Sequence, residues 1–314
     1  MVLHPILLQI QSDLPHLLLN VAFLDDVTIV GSRQDLQRAF DLLHSRGREV
    51  GLTLNPLKSL LWCGPSSSIV DPLDRGVPCA AETGFMLLGA PVGDIPFARD
   101  VVHHRIGKVE AVLDALPSIN DAQIEYVLLK HCYSFPKFVY CFRTCDPSHL
   151  HPVYEYIDTL TLSAFSQLVG RHLDSAAKDQ LFLPVKLGGA GLRSAVQHSP
   201  AAFVASMAQT KPIVDNILKP EISRRSLDPA FPLLQTETGN ATYSSLALLP
   251  PEFSQQSLSK EIGAHHNRLL VNNASGRKKA RLLSLNLPHA GDFLDAMPSP
   301  SLNLSILRCT IAGP

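Results

Sequence analysis

The chain has 314 residues, long enough for two domains at the usual scale of roughly 100–200 residues each. Its 46% hydrophobic and 18% charged content, without long polar tracts, excludes a disordered chain and reads as globular. A net charge of −1 excludes a whole-chain pull toward nucleic acid or anionic membrane, so any such binding has to come from local patches.

The six cysteines lack C-x-x-C spacing and no secretory signal accompanies them, which predicts reduced thiols. The first 24 residues are apolar, but His4, Asp13, Pro15 and His16 interrupt them. A membrane span needs about 20 unbroken apolar residues. The expectation is an intracellular protein, nuclear or cytoplasmic, with no membrane partner.

In chain order, residues 2–11 (VLHPILLQIQ) have helical apolar spacing. Leu17–Phe23 and Val27–Val30 are β-prone runs flanking Leu24–Asp25–Asp26, the layout of a hairpin with acidic residues at its tip, and Gly31 closes the second strand. Ser32 and Asp35 form a capping-box-like start for an amphipathic helix over 33–50, ended near Gly51. Leu52–Trp62 reads as a short strand-like stretch carrying Lys58, and Pro65–Ala81 as a Ser/Pro/Gly-rich loop. Phe85–Val92 is another β-prone run before Gly93. Helical patterns then cover Val101–Leu116, Asp121–Tyr133 and Leu150–Val169. "LPVKLGGAGLRS" at 183–194 precedes an alanine-rich helix around 200–209, the Pro-rich segment 212–252 reads as linker or irregular surface, and 258–285 is basic and helix-like. These readings divide the chain at 1–98, 99–211 and 212–314.

Two adjacent carboxylates repel one another and favour a cation beside them. Mg²⁺ fits, since it commonly takes one or two protein carboxylates and fills its octahedron with water and substrate phosphates. A pair of such ions can activate an attacking hydroxyl and stabilise the leaving oxygen of a phosphoryl displacement. An L-D-D turn between strands is also an ordinary turn, because Asp tolerates turn geometry.

The succession of FLDD hairpin, amphipathic helix, "GLTLNPLKSLLW" and "FMLLGAPVG" resembles the C-terminal half of the palm of a reverse transcriptase of the non-long-terminal-repeat retrotransposon type. "LPVKLGGAGLRS" and "LPHAGDFLDAMPSPSL" resemble segments downstream of that polymerase domain. The resemblance implies an α+β fold, a partial palm of antiparallel strands and helices followed by a helical thumb-like region and a mostly helical C-terminal region. It implies Mg²⁺ as cofactor, an RNA or DNA template-primer as partner, and RNA-directed DNA polymerisation as the ancestral reaction. Asp25 is then the principal metal ligand, Asp26 a second, and Phe23 a support for the primer end. Lys58 would contact the triphosphate or protonate pyrophosphate, and Gly89 would let the backbone approach the primer. A buried strand aromatic, a strand-edge lysine and a turn glycine are the plain alternatives for Phe23, Lys58 and Gly89.

Only 22 residues precede Phe23, so the fingers and the earlier palm strand with its further metal-binding aspartate have no counterpart; Asp13 is not assigned that role. The chain is therefore expected not to polymerise alone, with a separate palm and fingers half as one conceivable partner. A noncatalytic helical binding or scaffold protein that keeps the palm remnant only as fold is the alternative.

His103, His104, Arg105 and Lys108 cluster on a predicted helix where a thumb would meet a duplex, although a solvated helix face explains them too. Arg277, Lys278, Lys279 and Arg281 form the densest basic run and suit either phosphate or solubility. "LGGAGLRS" lacks the order of a phosphate loop and reads as a turn. The neighbours His131 and Cys132 read as buried packing, and Cys309 alone makes no zinc site.

Overall fold

A computed structural model describes residues 2–64, 75–81, 83–218, 227–249 and 253–294. Cα proximity divides the chain into two compact units, one built from residues up to Leu87 with Val92–Asp94 and 210–218, the other from Leu88–Pro91, Ile95–Gln209 and the described residues from 227 on.

In the first unit, helix α1 (Leu3–Asp13) buries Ile6 and Ile10. Strands β1 (Leu19–Phe23) and β2 (Asp26–Val30) pair antiparallel from Leu19 opposite Val30 to Phe23 opposite Asp26. Opposed residues share a face. Val27 and Ile29 therefore point one way, into a small core with Ile6, Ile10, Leu14, Leu17, Ala39 and Leu43, and the Asn20 amide on that face donates to the Leu7 carbonyl at 2.8 Å. Leu19, Val21, Phe23, Asp26, Thr28 and Val30 share the other face.

Helix α2 (Arg33–Glu49) starts as expected: the Ser32 hydroxyl oxygen accepts from the Asp35 amide at 3.2 Å and its proton goes to the Asp35 carboxylate at 2.7 Å. Arg46 and Arg48 in the last turn complement the helix dipole, and Gly51 follows at φ 81°. The strand-like expectation for Leu52–Trp62 is corrected. Pro56–Lys58 is a single 3₁₀ turn, and only Leu61 makes an isolated bridge, to Cys79. Pro56 has no N–H to give a ladder, and the Asn55 side chain takes the Leu57 amide at 3.0 Å, so local bonds replace pairing. Residues 65–74 of the expected loop lie outside the described residues.

The run 85–92 is two short strands, β3 (Gly84–Leu87) and β4 (Ala90–Gly93), joined through Leu88 and Gly89. Both turn residues have positive φ, 48° and 80°, the sign pattern of a type I′ hairpin turn.

In the second unit, α3 (Ile95–Ala115), α4 (Ala122–Leu128), α5 (Phe135–Thr144) and α6 (Pro147–Val169) build the larger core. Asp121 caps α4 through the amides of Gln123 and Ile124 at 2.9 and 3.0 Å, and α4 runs into a π-helical turn, Leu129–Tyr133. Helix α5 is absent from the sequence reading. Its Phe135, Phe138 and Phe142 recur at helical spacing and are all buried, and Phe142 meets Tyr154 of α6 edge-on with ring centroids 4.9 Å apart.

After α7 (Ser175–Leu181), helix α8 (Ala195–Ile217) is longer at both ends than the expected 200–209. Helix α9 (Ala230–Thr238) corrects part of the expected linker, because Phe231 and Leu234 bury against Phe203, Val204, Leu258 and Ile262. The basic region is two helices, α10 (Gln255–Asn273), opened by a Ser254–Ser257 capping box, and α11 (Gly276–Leu285). The class is α+β, mostly helical with two small antiparallel sheets. Among the described residues no helix is long and apolar enough to cross a membrane.

Candidate functional site

The β1–β2 hairpin closes with a two-residue turn, Leu24–Asp25, which places Asp25 at the tip and Asp26 as the first residue of β2. Leu24 holds φ 59° and is 82% exposed. A left-handed leucine costs about 1–2 kcal/mol relative to a glycine there, so the turn is set by the strand register and not by its own residue preference. Phe23 is 61% exposed, not a buried strand aromatic, and it faces Asp26 across the ladder. Asp25 and Asp26 are both exposed, so their repulsion is screened by water while their oxygens stay open to a cation. Two carboxylates suffice for one Mg²⁺ that keeps waters and phosphate oxygens as its other ligands. Among the described residues no group of three or more His, Cys, Asp or Glu side chains converges on such a site.

Lys58 ends the 3₁₀ turn and is exposed, on a turn instead of a strand edge. Gly89 and Arg105, expected separately at the primer, are bonded to each other: the Arg105 guanidinium donates through Nη2 to the Gly89 carbonyl and through Nη1 to Cys141 Sγ at 2.9 Å. The Tyr140 hydroxyl donates to the neighbouring Leu88 carbonyl at 2.7 Å. Helices α3 and α5 thus hold the β3–β4 turn, and Arg105 is committed to that brace. Lys108, His103 and His104 are exposed on α3. His131 and Cys132 are exposed, which corrects their expected burial; the π-helical turn buries Leu129 and turns both outward.

Two buried ionisable groups, Asp158 and His198, have no counterpart in the sequence reading. Asp158 of α6 accepts from the Ser194 hydroxyl and the Ala195 amide, each at 2.5 Å, and from the Val196 amide at 3.3 Å. Burial pushes its carboxyl from 3.8 up to about 6, against the pull of those three bonds. Ser194 in turn accepts from the Gln197 amide at 3.1 Å, so the S-x-x-Q spacing at 194–197 was the available signal for this helix start. One turn on, His198 packs edge-on to Phe135 at 5.6 Å with Nδ1 lacking a hydrogen-bond partner; burial drives its imidazole from 6.5 down to about 3 and keeps it neutral.

The glycine-rich stretch is a turn. Gly188 and Gly191 have φ 77° and 68°, and the Tyr126 hydroxyl donates to the Ala190 carbonyl between them. Beyond it, His266 of α10 meets the Glu237 carboxylate at 2.8 Å through Nε2, with Gln197 Nε2 3.5 Å from its Nδ1. His266 and Gln197, with Asn273 and Lys278, border a groove of about 420 Å³ between α7, α8, α10 and α11. Arg277, Lys278, Lys279 and Arg281 are all exposed on α11. Cys309 lies outside the described residues.

No family model, no curated protein and no solved structure matches the chain.

Proposed function

We propose that the chain is a reverse-transcriptase-like protein of the non-long-terminal-repeat retrotransposon type, with Asp25 and Asp26 as the surviving carboxylate pair of a two-metal nucleotidyl-transfer site. The observation that supports this reading is the tight hairpin that sets Asp25 at its tip and Asp26 across from an exposed Phe23. An exposed aromatic beside paired carboxylates suits a primer end, because its face can carry a sugar or base while the carboxylates hold a cation.

In this proposal Asp25 is the principal ligand and Asp26 the second. A bound Mg²⁺ would neutralise charge on phosphate oxygens and lower the barrier for the attacking hydroxyl. Lys58 presents a mobile ammonium to the triphosphate, and Lys108 contacts the template-primer. Arg105 and Gly89 are bonded to each other, and in this proposal the braced turn lies against the primer, with the donors of Arg105 left over from the brace facing phosphate. Positioning supplies most of phosphoryl-transfer catalysis, and two carboxylates on one turn do not by themselves position a primer against a triphosphate. We therefore expect the chain alone to bind divalent metal weakly and not to extend a primer.

The test is Mn²⁺ titration followed by paramagnetic broadening of the hairpin amide resonances, on the parent chain and on Asp25→Asn. Broadening centred on residues 23–27 and abolished by the substitution is the expected result. Broadening absent from the hairpin, or indifferent to Asp25, leaves only the scaffold reading. A primer-extension assay with Asp25→Ala and Asp26→Ala controls checks the second half: extension that both substitutions abolish overturns the inactivity.

A further inference from the structure

Helix α11 carries Arg277, Lys278, Lys279 and Arg281 within its first six residues and contains no acidic residue. None of the four is in an ion pair among the described residues. Cations in the first turns of a helix oppose its dipole, so this charge does nothing for the stability of α11. The chain as a whole is nearly neutral, which makes the patch a local concentration and not a sample of a basic surface.

The geometry around α11 narrows the partner. Arg277, Lys278 and Arg281 stand at helical spacings that keep them on one side. Lys278 opens onto the groove of about 420 Å³, a size within the roughly 300–1,000 Å³ of small-ligand pockets. The amides of Gln197 and Asn273 border that groove, Leu269 and Leu270 give it an apolar wall, and Asp179 and Lys278 both line it. Amide side chains read the hydrogen-bonding edge of a base, and an apolar wall takes its face, provided the base is unstacked. An anionic membrane would need an apolar outer side on α11. Of its three leucines Leu282 is buried, Leu285 is half-buried and only Leu283 is exposed, so that side is missing.

We infer that α11 and the adjoining groove bind single-stranded nucleic acid, with Arg277, Lys278 and Arg281 on successive phosphates and one unstacked base between Gln197 and Asn273. The site uses none of Phe23, Asp25, Asp26 and Lys58, so its failure and the failure of the polymerase reading are separate outcomes.

The experiment is fluorescence anisotropy of the full chain with a labelled oligouridine strand across a salt series. Three phosphate contacts give a slope of log affinity on log salt of about −2, from roughly −0.7 for each contact on a single strand. The triple substitution Arg277→Gln, Lys278→Gln, Arg281→Gln weakens binding about tenfold or more and flattens the slope toward zero. The same charge loss on α2, Arg33→Gln, Arg38→Gln, Arg48→Gln, leaves binding unchanged; an equal loss there overturns the site. Asn273→Leu weakens oligouridine binding but not binding of inorganic polyphosphate, and equal behaviour toward both ligands overturns the base pocket. Sedimentation with phosphatidylserine vesicles in the absence of any oligouridine binding overturns nucleic acid as the partner.

Discussion

Asp158 and Ser194 lie 36 residues apart in the chain and meet across 2.5 Å, the serine hydroxyl donating to a carboxylate that also takes the amides of Ala195 and Val196. The bond ties the middle of α6 to the start of α8, where backbone N–H groups have no partner within their own helix. His198 follows Ser194 by one turn of α8, and the buried acid and the buried base are shifted in opposite directions.

Asp158 is pushed up, so between pH 3.8 and about 6 the unfolded chain loses this proton before the folded one does. Stability supplied by the protonated carboxyl below 3.8 is lost as pH rises through 6, a difference of about 3 kcal/mol. His198 is pushed down, so the unfolded imidazole protonates near 6.5 and the folded one only near 3; its contribution is complete above 6.5 and lost as pH falls toward 3. Over the shared window the two slopes offset each other. Urea midpoints measured across that window should be nearly flat for the parent chain. They should rise with pH in Asp158→Asn, where only the histidine slope remains, and fall with pH in His198→Leu. Asp158→Asn also turns an amide toward three donors, which should cost about 1–3 kcal/mol above pH 6 and more below it, where the protonated carboxyl's contribution is lost as well.

The brace on the β3–β4 turn predicts additive losses. Arg105→Ala frees the Gly89 carbonyl and Tyr140→Phe frees the Leu88 carbonyl, each removing a bond worth about 1 kcal/mol. Hydrogen exchange of the amides from 85 to 93 should quicken in both variants while α2 amides keep their rates. Unchanged exchange in the hairpin would mean that the turn needs neither partner.

Leu24 at φ 59° stores strain at the tip of the first hairpin. Leu24→Asn relieves it, because Asn enters the left-handed region readily, and thermal or urea unfolding should show a gain of about 0.5–1 kcal/mol. Substituting Asn for Leu88, at φ 48°, should act in the same direction.

Cysteine reactivity should divide by burial. Cys63, Cys79 and Cys132 are exposed, whereas Cys141 and Cys145 are buried. Burial raises the Cys141 thiol, with the Arg105 charge pulling the other way. Native alkylation followed by peptide mass spectrometry should label the first three and spare the last two until urea exposes them.

Local features were legible from the residues alone. The FLDD hairpin, the Ser32–Asp35 start of α2 and the amphipathic spacing of 33–50 depend on interactions within a few positions; each is found, with Asp26 paired as the first residue of β2 and only Asp25 of the two carboxylates at the tip. Helix α5 was hidden because its phenylalanines also suit a β-prone aromatic run, and burial against α6 chooses between the two. The 52–62 stretch reads as strand-like because its apolar residues outnumber Pro56 and Asn55, the two that decide the backbone there.

The sequence by itself determined the hairpin with its carboxylate pair, the helix that follows and the density of positive charge near residue 280, since each is set by neighbours in the chain. Only the tertiary structure decided that Arg105 donates to the Gly89 carbonyl, that Asp158 caps a helix 36 residues away, and that Lys278 stands over a groove bordered by Gln197 and Asn273. A charged side chain's role depends on which partners packing brings within hydrogen-bond reach, and that is fixed by contacts distant in sequence.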